Sequence, residues 1–133
     1  MASSLLGLDV GEKRIGVALA DDAVTIAIPY VTIDVNGAEI KEIAELIVRE
    51  NVQKLIIGYP RNQSGEATAQ TAFVEEFSQR LKDLVPEIIF QDESLTSVIA
   101  EERLKASGKP YQKGDIDAQA AAIILQDYLE RHS

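Results

Sequence analysis

The chain contains no cysteine, and its single histidine, His132, lies next to the C-terminus. Without cysteine, disulfides and thiolate metal sites are excluded. One histidine at that position rules out histidine-triad hydrolases and histidine-rich zinc centres. Any metal must then be an oxygen-liganded one, such as Mg²⁺ or Mn²⁺. Positive charge is also scarce: 13 Lys and Arg stand against 22 Asp and Glu, a net charge of −9. That balance is the reverse of the usual nucleic-acid binder. Net charge is a global sum, however, and contact depends on the local patch. Part of the positive charge does gather, at Lys13-Arg14 and then at Arg103, Lys105, Lys109 and Lys113. Much of the acid lies at positions expected on solvated helix faces (Glu39, Glu42, Glu45; Glu75, Glu76; Glu101, Glu102). No apolar run reaches membrane-spanning length and no basic-plus-apolar leader precedes the first strand, so a soluble, cytoplasmic protein with no membrane partner is expected.

What is present is enough apolar material for one folded unit, with 46% hydrophobic residues over 133 positions. The pattern predicts an α/β domain spanning residues 1–133. Strands are expected over Ser4 to Val10, Ile15 to Ala20 and Val24 to Ile33, joined by short turns as an antiparallel meander. Asn36 is a helix cap with Glu39 in the capping-box position, and Ile40, Ile43, Ala44 and Ile47 follow at helical spacing. Lys54 to Gly58 reads as a fully apolar central strand that Pro60 ends. Phe73, Phe77, Leu81 and Leu84 form the stripe of a second helix. Glu87 to Gln91 is a fifth strand and Leu95 to Ala106 a third helix, stopped by Gly108 and Pro110. Lys109 to Gly114 is a polar loop, and Ile116 to Glu130 is the last helix, packing through Ala120, Ala121, Ile124 and Tyr128. The sum is a five-stranded mixed sheet, three antiparallel strands then two parallel ones, with about four helices and right-handed crossovers.

Three acids interrupt apolar surroundings. Asp9 sits in the run Leu5-Leu6-Gly7-Leu8-Asp9-Val10-Gly11, where alternation puts Gly7, Asp9 and Gly11 on one face. The two glycines clear space beside a carboxylate that is expensive to bury unpaired, which suggests a cation over that face. Asp92-Glu93 ends the fifth strand, where open α/β sheets place their ligands. Asp117 falls in the first turn expected for the last helix. Convergence of Asp9, Glu93 and Asp117 would crowd negative charge that divalent cations relieve. Two ions roughly 3.5–4 Å apart can activate a water and stabilise the leaving oxygen of a phosphodiester. That chemistry requires the oxygens to lie close together, with no cationic side chain filling the gap between them.

In order along nearly the whole chain, the motifs resemble those of the YqgF, or RuvX-like, family of compact ribonuclease-H-like proteins, regarded as Holliday junction resolvases or pre-16S ribosomal RNA nucleases. Gly7-Leu8-Asp9-Val10-Gly11-Glu12-Lys13-Arg14-Ile15-Gly16-Val17-Ala18 is similar to the family's opening strand-turn-strand. Gly58-Tyr59-Pro60-Arg61-Asn62-Gln63-Ser64-Gly65 resembles its Gly-Leu-Pro-x-x-x-x-Gly loop. Asp92-Glu93-Ser94-Leu95-Thr96-Ser97 resembles its Asp-Glu-Arg-Leu motif, and Asp117-Ala118-Gln119-Ala120-Ala121 its final helix. The resemblance implies Asp9, Glu93 and Asp117 as catalytic, metal-binding acids using Mg²⁺ or Mn²⁺. It departs at Ser94, where the family has arginine, at Glu12, where a small hydroxyl residue is common, and in a basic loop reduced to Lys109 and Lys113. Each change lowers the positive charge available to phosphates.

Lys13 and Arg14 are placed to hold a phosphate near the acids, Arg14 bidentately. Arg61 and Asn62 are expected to line the cleft, while Pro60 and Gly65 shape their loop. Lys109 and Lys113 complete the nucleic-acid contacts, and Tyr111 offers a stacking surface. The expected activity is cleavage of structured nucleic acid, foremost the 5′ end of pre-16S rRNA, with ribosomal precursor particles as partners. A branched-DNA resolvase, for which a homodimer would be suited, and a non-catalytic ribosome-assembly protein are the alternatives. An actin-like ATPase shares the Asp-x-Gly turn, but needs two such domains.

Overall fold

The computed structural model describes residues 3–21, 23, 26–60, 69–93 and 96–131, apart from the side chains of residues 93 and 96–98. The strands are β1 (Ser4–Val10), β2 (Arg14–Asp21), β3 (Ile28–Asp34), β4 (Val52–Pro60) and β5 (Glu87–Glu93). The helices are α1 (Glu39–Arg49), α2 (Ala69–Gln79), α3 (Thr96–Ser107) and α4 (Lys113–Arg131). One five-stranded sheet runs in the order β3-β2-β1-β4-β5. The pairs β1–β2 and β2–β3 are antiparallel, and β1–β4 and β4–β5 are parallel. This is the five-stranded mixed α/β arrangement that the residue pattern predicts, in keeping with the ribonuclease-H-like fold that the resemblance implies. No helix among the described residues is long and apolar enough to cross a membrane.

Strand alternation divides the core between the two faces. Leu6, Leu8, Ile15, Val17, Leu55 and Ile57 are buried under Ile43, Leu46 and Ile47 of α1 and Val74 and Phe77 of α2. On the other face Leu5, Ala18, Ala20 and Ile56 meet Ala121, Ile124, Leu125 and Tyr128 of α4. Ala100 of α3 packs on Ala120 and Ile123 at the back of α4. Strand β4, expected at the centre of the sheet, lies between the central β1 and the edge strand β5, and it is closed on both faces, with Leu55, Ile56 and Ile57 all fully buried, which explains its unbroken apolar run.

Strands β4 and β5 run longer than the sequence reading gives them, from Val52 to Pro60 and on to Glu93, and three further boundaries differ for visible reasons. The third strand was expected from Val24, but β3 begins at Ile28; residues 24 and 25 lie outside the described set. Ala27 gives its N–H to the Gln126 side chain (2.9 Å) rather than to a strand. The second helix ends at Gln79, and Leu81 and Leu84 continue its stripe through turns with i→i+3 bonds (Leu81 N to Ser78 O, 3.0 Å; Leu84 N to Leu81 O, 3.0 Å). Leu81 still reaches the core, so the apolar spacing was right while the backbone bonding differed. The last helix begins at Lys113, earlier than expected, because Asp115 Oδ2 accepts the Gln112 N–H (2.9 Å) and caps the start. Lys113 and Gly114 are therefore helical, and Asp117 lies beyond the first turn.

Asn36 is not the helix cap that the sequence reading makes it: the N-cap is Ala38, which has no side-chain cap, and Asn36 and Glu39 instead brace the turn before α1. Asn36 Oδ1 accepts the Ala38 N–H (3.0 Å), and Glu39 Oε1 accepts those of Gly37 (2.7 Å) and Asn36 (3.2 Å). Backbone N–H groups of Glu39 itself, Gly37 and Asn36 hold this carboxyl below its ordinary value, against the opposing pull of burial. Its folded value lies below its unfolded one. The stability it contributes is therefore full above the ordinary value of 4.5 and is lost as pH falls through the folded value. Glu39→Gln is expected to flatten the acid limb of stability in urea unfolding across that range. An acid limb as steep as the wild type's would show that Glu39 is not among its causes.

Candidate active site at the β1–β2 hairpin and helix α4

Asp9 is half-buried near the end of β1, directly opposite Gly16 of β2. Opposed residues of an antiparallel pair share a face, so a side chain at position 16 would stand beside Asp9. Helix α4 takes that space. A Cβ on Gly16 would lie 1.8 Å from the carbonyl oxygen of Asp117, and one on Gly7 would lie 2.8 Å from Leu125 Cβ. The room beside Asp9 that the sequence suggested for a cation is thus partly room for a helix. The same close approach sets the backbone of Asp117 against the strand position that pairs with Asp9.

The turn between the strands is tight, with Gly11 N donating to Arg14 O (3.0 Å) and Glu12 and Lys13 exposed at its tip. Arg14, the first residue of β2, gives its Nε–H to Asp117 Oδ2 at 2.7 Å. The two side chains are 35% and 22% exposed. A cationic side chain thus occupies one of the expected ligand oxygens, contrary to the expectation that none would stand among the acids. Gly11, Glu12, Lys13, Arg14, Gln70 and Asp117 line an open cavity of about 390 Å³ at this point.

The remaining expected residues are distributed unevenly. Glu93 is the last residue of β5, paired with Pro60 of β4; its side chain lies outside the described residues, as do Arg61, Asn62 and Ser94. Asp92 lines a separate cavity with Tyr59, Glu75 and Phe90. Lys113 is exposed at the start of α4, and Lys109 and Tyr111 line a groove of about 580 Å³ against β3. Among the described residues, no three acids or histidines form a metal-binding group, a set from which the Glu93 side chain is missing.

Two residues were missed in the sequence. Gln70, in the first turn of α2, sends Nε2 to the carbonyl oxygen of Val10 (3.3 Å) and so braces the backbone next to Asp9. No local pattern marks it, since its partner is 60 residues away. Gly16 did carry a signal, because an isolated glycine inside a strand often marks the close approach of another backbone.

A profile of the family described as "RuvX: Holliday junction resolvase" matches residues 3–131. The chain belongs to the RuvX family. Among its relatives, a protein of Chloroflexus aggregans is 44% identical over 133 residues, covering 96% of this chain and 93% of its own length. One of Sulfurihydrogenibium is 40% identical over 134 residues, covering 98% and 92%. Both carry the provisional name pre-16S rRNA nuclease. Among solved structures, Thermus thermophilus RuvC in complex with a Holliday junction substrate superposes with a TM-score of 0.59 at 15% identity, covering 97% of this chain and 95% of that one. The fowlpox virus resolvase bound to Holliday junction DNA gives 0.58 at 13% identity, covering 99% of each. At such identities these two establish a shared fold and no more.

Proposed function

We propose that this RuvX-family chain is a divalent-cation-dependent endonuclease that hydrolyses phosphodiester bonds in structured nucleic acid, acting on the 5′ end of pre-16S rRNA. The observation that carries the reading is the seating of Asp117 on Gly16, the cross-strand partner of Asp9. Asp117 opens onto a cavity that Glu12 also lines, and with no cysteine in the chain and no histidine among the described residues, the donors left for a cation are hard oxygens. Such donors suit Mg²⁺ or Mn²⁺. The Arg14–Asp117 pair does not prevent their binding. A part-exposed ion pair is worth about 1 kcal/mol, which weakens cation affinity about fivefold, and a cation in excess of its dissociation constant overcomes that.

Asp9, Glu93 and Asp117 are the residues that would hold the cations. When bound, a divalent cation lowers the pKa of water and offsets charge developing on a phosphoryl group. The chain's own residues supply the rest. Gln70 and the Gly11 turn fix the backbone around Asp9. Lys13 and Arg14 hold the scissile phosphate at the cavity rim, and Arg61, Asn62, Lys109 and Lys113 contact flanking phosphates. The family's junction-resolvase description favours branched DNA as the second reading.

One assay separates these readings: purified protein with Mn²⁺, offered a precursor 16S rRNA fragment, a four-way DNA junction and linear controls. Mn²⁺-dependent cutting of the RNA that EDTA abolishes is expected. Cutting of the junction alone would reassign the substrate to branched DNA. No cutting of any substrate, together with no Mn²⁺ binding by calorimetry, would leave a non-catalytic binding protein.

A further inference from the structure

We infer that Arg14 is a resident competitor for the divalent cation: it neutralises Asp117 in the cation-free protein and is released toward a substrate phosphate when a cation takes its place. The inference rests on the proposed cation site. Three observations carry it. The Arg14–Asp117 contact, at 2.7 Å, joins residues 103 positions apart. Other ion pairs among the described residues are longer, such as Lys105–Glu101 at 3.6 Å and Lys54–Glu87 at 3.8 Å. Both partners line the open cavity and keep part of their surface in solvent, so an ion can reach the carboxylate without unfolding anything. The contact runs through Nε. A guanidinium held through one nitrogen keeps donors that match two phosphate oxygens. Arg14 is thus a positioning residue with two successive anionic partners.

The pair has a second consequence. It ties the first residue of β2 to α4, so Asp117 is oriented before any cation arrives. Lys13 carries the same charge one residue earlier but is exposed and makes no contact with Asp117, which makes it the natural control for charge without contact.

The test is calorimetric titration of Mn²⁺ into the nucleic-acid-free protein, comparing wild type with Arg14→Gln, Arg14→Lys, Lys13→Gln and Asp117→Asn. Arg14→Gln is expected to bind Mn²⁺ about three- to tenfold more tightly than wild type, the competition of one ion pair. Lys13→Gln should gain less, and Arg14→Lys should stay near wild type. In an Asp117→Asn background, Arg14→Gln should change nothing. Nitrogen-15 spectra of wild type should show the Arg14 Nε resonance shifting as Mg²⁺ is added, a readout independent of any loss of stability in the variants. Asp117-dependent Mn²⁺ binding that Arg14→Gln leaves unchanged or weakens would overturn this inference alone. An equal gain in Lys13→Gln would overturn it too, reducing the effect to general charge. If wild type binds no Mn²⁺ through Asp117, the cation site and this inference fall together.

Discussion

Asp9→Asn is expected to slow Mn²⁺-dependent cleavage by about three orders of magnitude, on the order of 4 kcal/mol of transition-state stabilisation, with little change in melting temperature. The two side chains have the same size, and Asp9 is only half-buried on the face that α4 covers. Packing around Gly7 and Gly16 therefore has no reason to change. What disappears is the negative charge, and with it the strongest oxygen donor that β1 offers a cation. Single-turnover cleavage, Mn²⁺ calorimetry and thermal melting separate the possibilities. Lost cleavage, weakened Mn²⁺ binding and a preserved melt identify Asp9 as a ligand. Lost cleavage with a collapsed melt would make it a structural acid. Wild-type cleavage by Asp9→Asn would remove the proposed site altogether, because the resemblance assigns the three carboxylates to the reaction as one set.

The parts of this protein that were legible in the sequence are those governed by burial. β1 and β4 are inner strands covered on both faces, so their apolar runs left little choice. The spacing of Phe73, Phe77 and Leu81 marked a face that does reach the core, and yet α2 ends at Gln79, before Leu81. Side-chain spacing reports which residues face inward and says little about whether the backbone closes i→i+4 or i→i+3 bonds. The start of α4 was hidden for a related reason, since it depends on one bond from the Gln112 N–H to Asp115. In the site, the emptiness around Asp9 was legible and its occupant was not. Small residues at Gly7 and Gly16 admit a cation or a helix equally well, and only the packed chain shows α4 there. Arg14 illustrates the same limit. Its charge and place after the turn suggested an anion, but that its first anion is Asp117 depends on a crossing of 103 residues.

Gly16→Ala is expected to be among the most damaging single-methyl additions to this chain. The new Cβ would lie 1.8 Å from the Asp117 carbonyl oxygen, 2.2 Å from its carbon and 2.8 Å from the Ala118 nitrogen. These are backbone atoms, so no rotamer change relieves the overlap. The helix itself must lift, and it is held nearby by the Thr32 Oγ1 donation to Gly114 O (2.5 Å), the Arg14 pair and Leu125 against Gly7. Overpacking without local escape costs about 3 kcal/mol or more, a fall of roughly 10 °C in melting temperature for a domain of this size. Any protein that still folds should also bind Mn²⁺ more weakly, because lifting α4 carries Asp117 away from Asp9. Gly114→Ala supplies the contrast. The nearest atoms its Cβ would meet outside the helix backbone are those of the Thr32 side chain, at an ordinary 3.6 Å, and alanine is better than glycine inside a helix by up to about 1 kcal/mol. That variant should keep or gain stability and keep its Mn²⁺ affinity. Both substitutions add one methyl to the same contact between the sheet and α4, so comparing their melts isolates the approach at Gly16. Equal stability of the two would mean that Asp117 does not rest on β2, and the proposed meeting of the two acids would lose its structural basis.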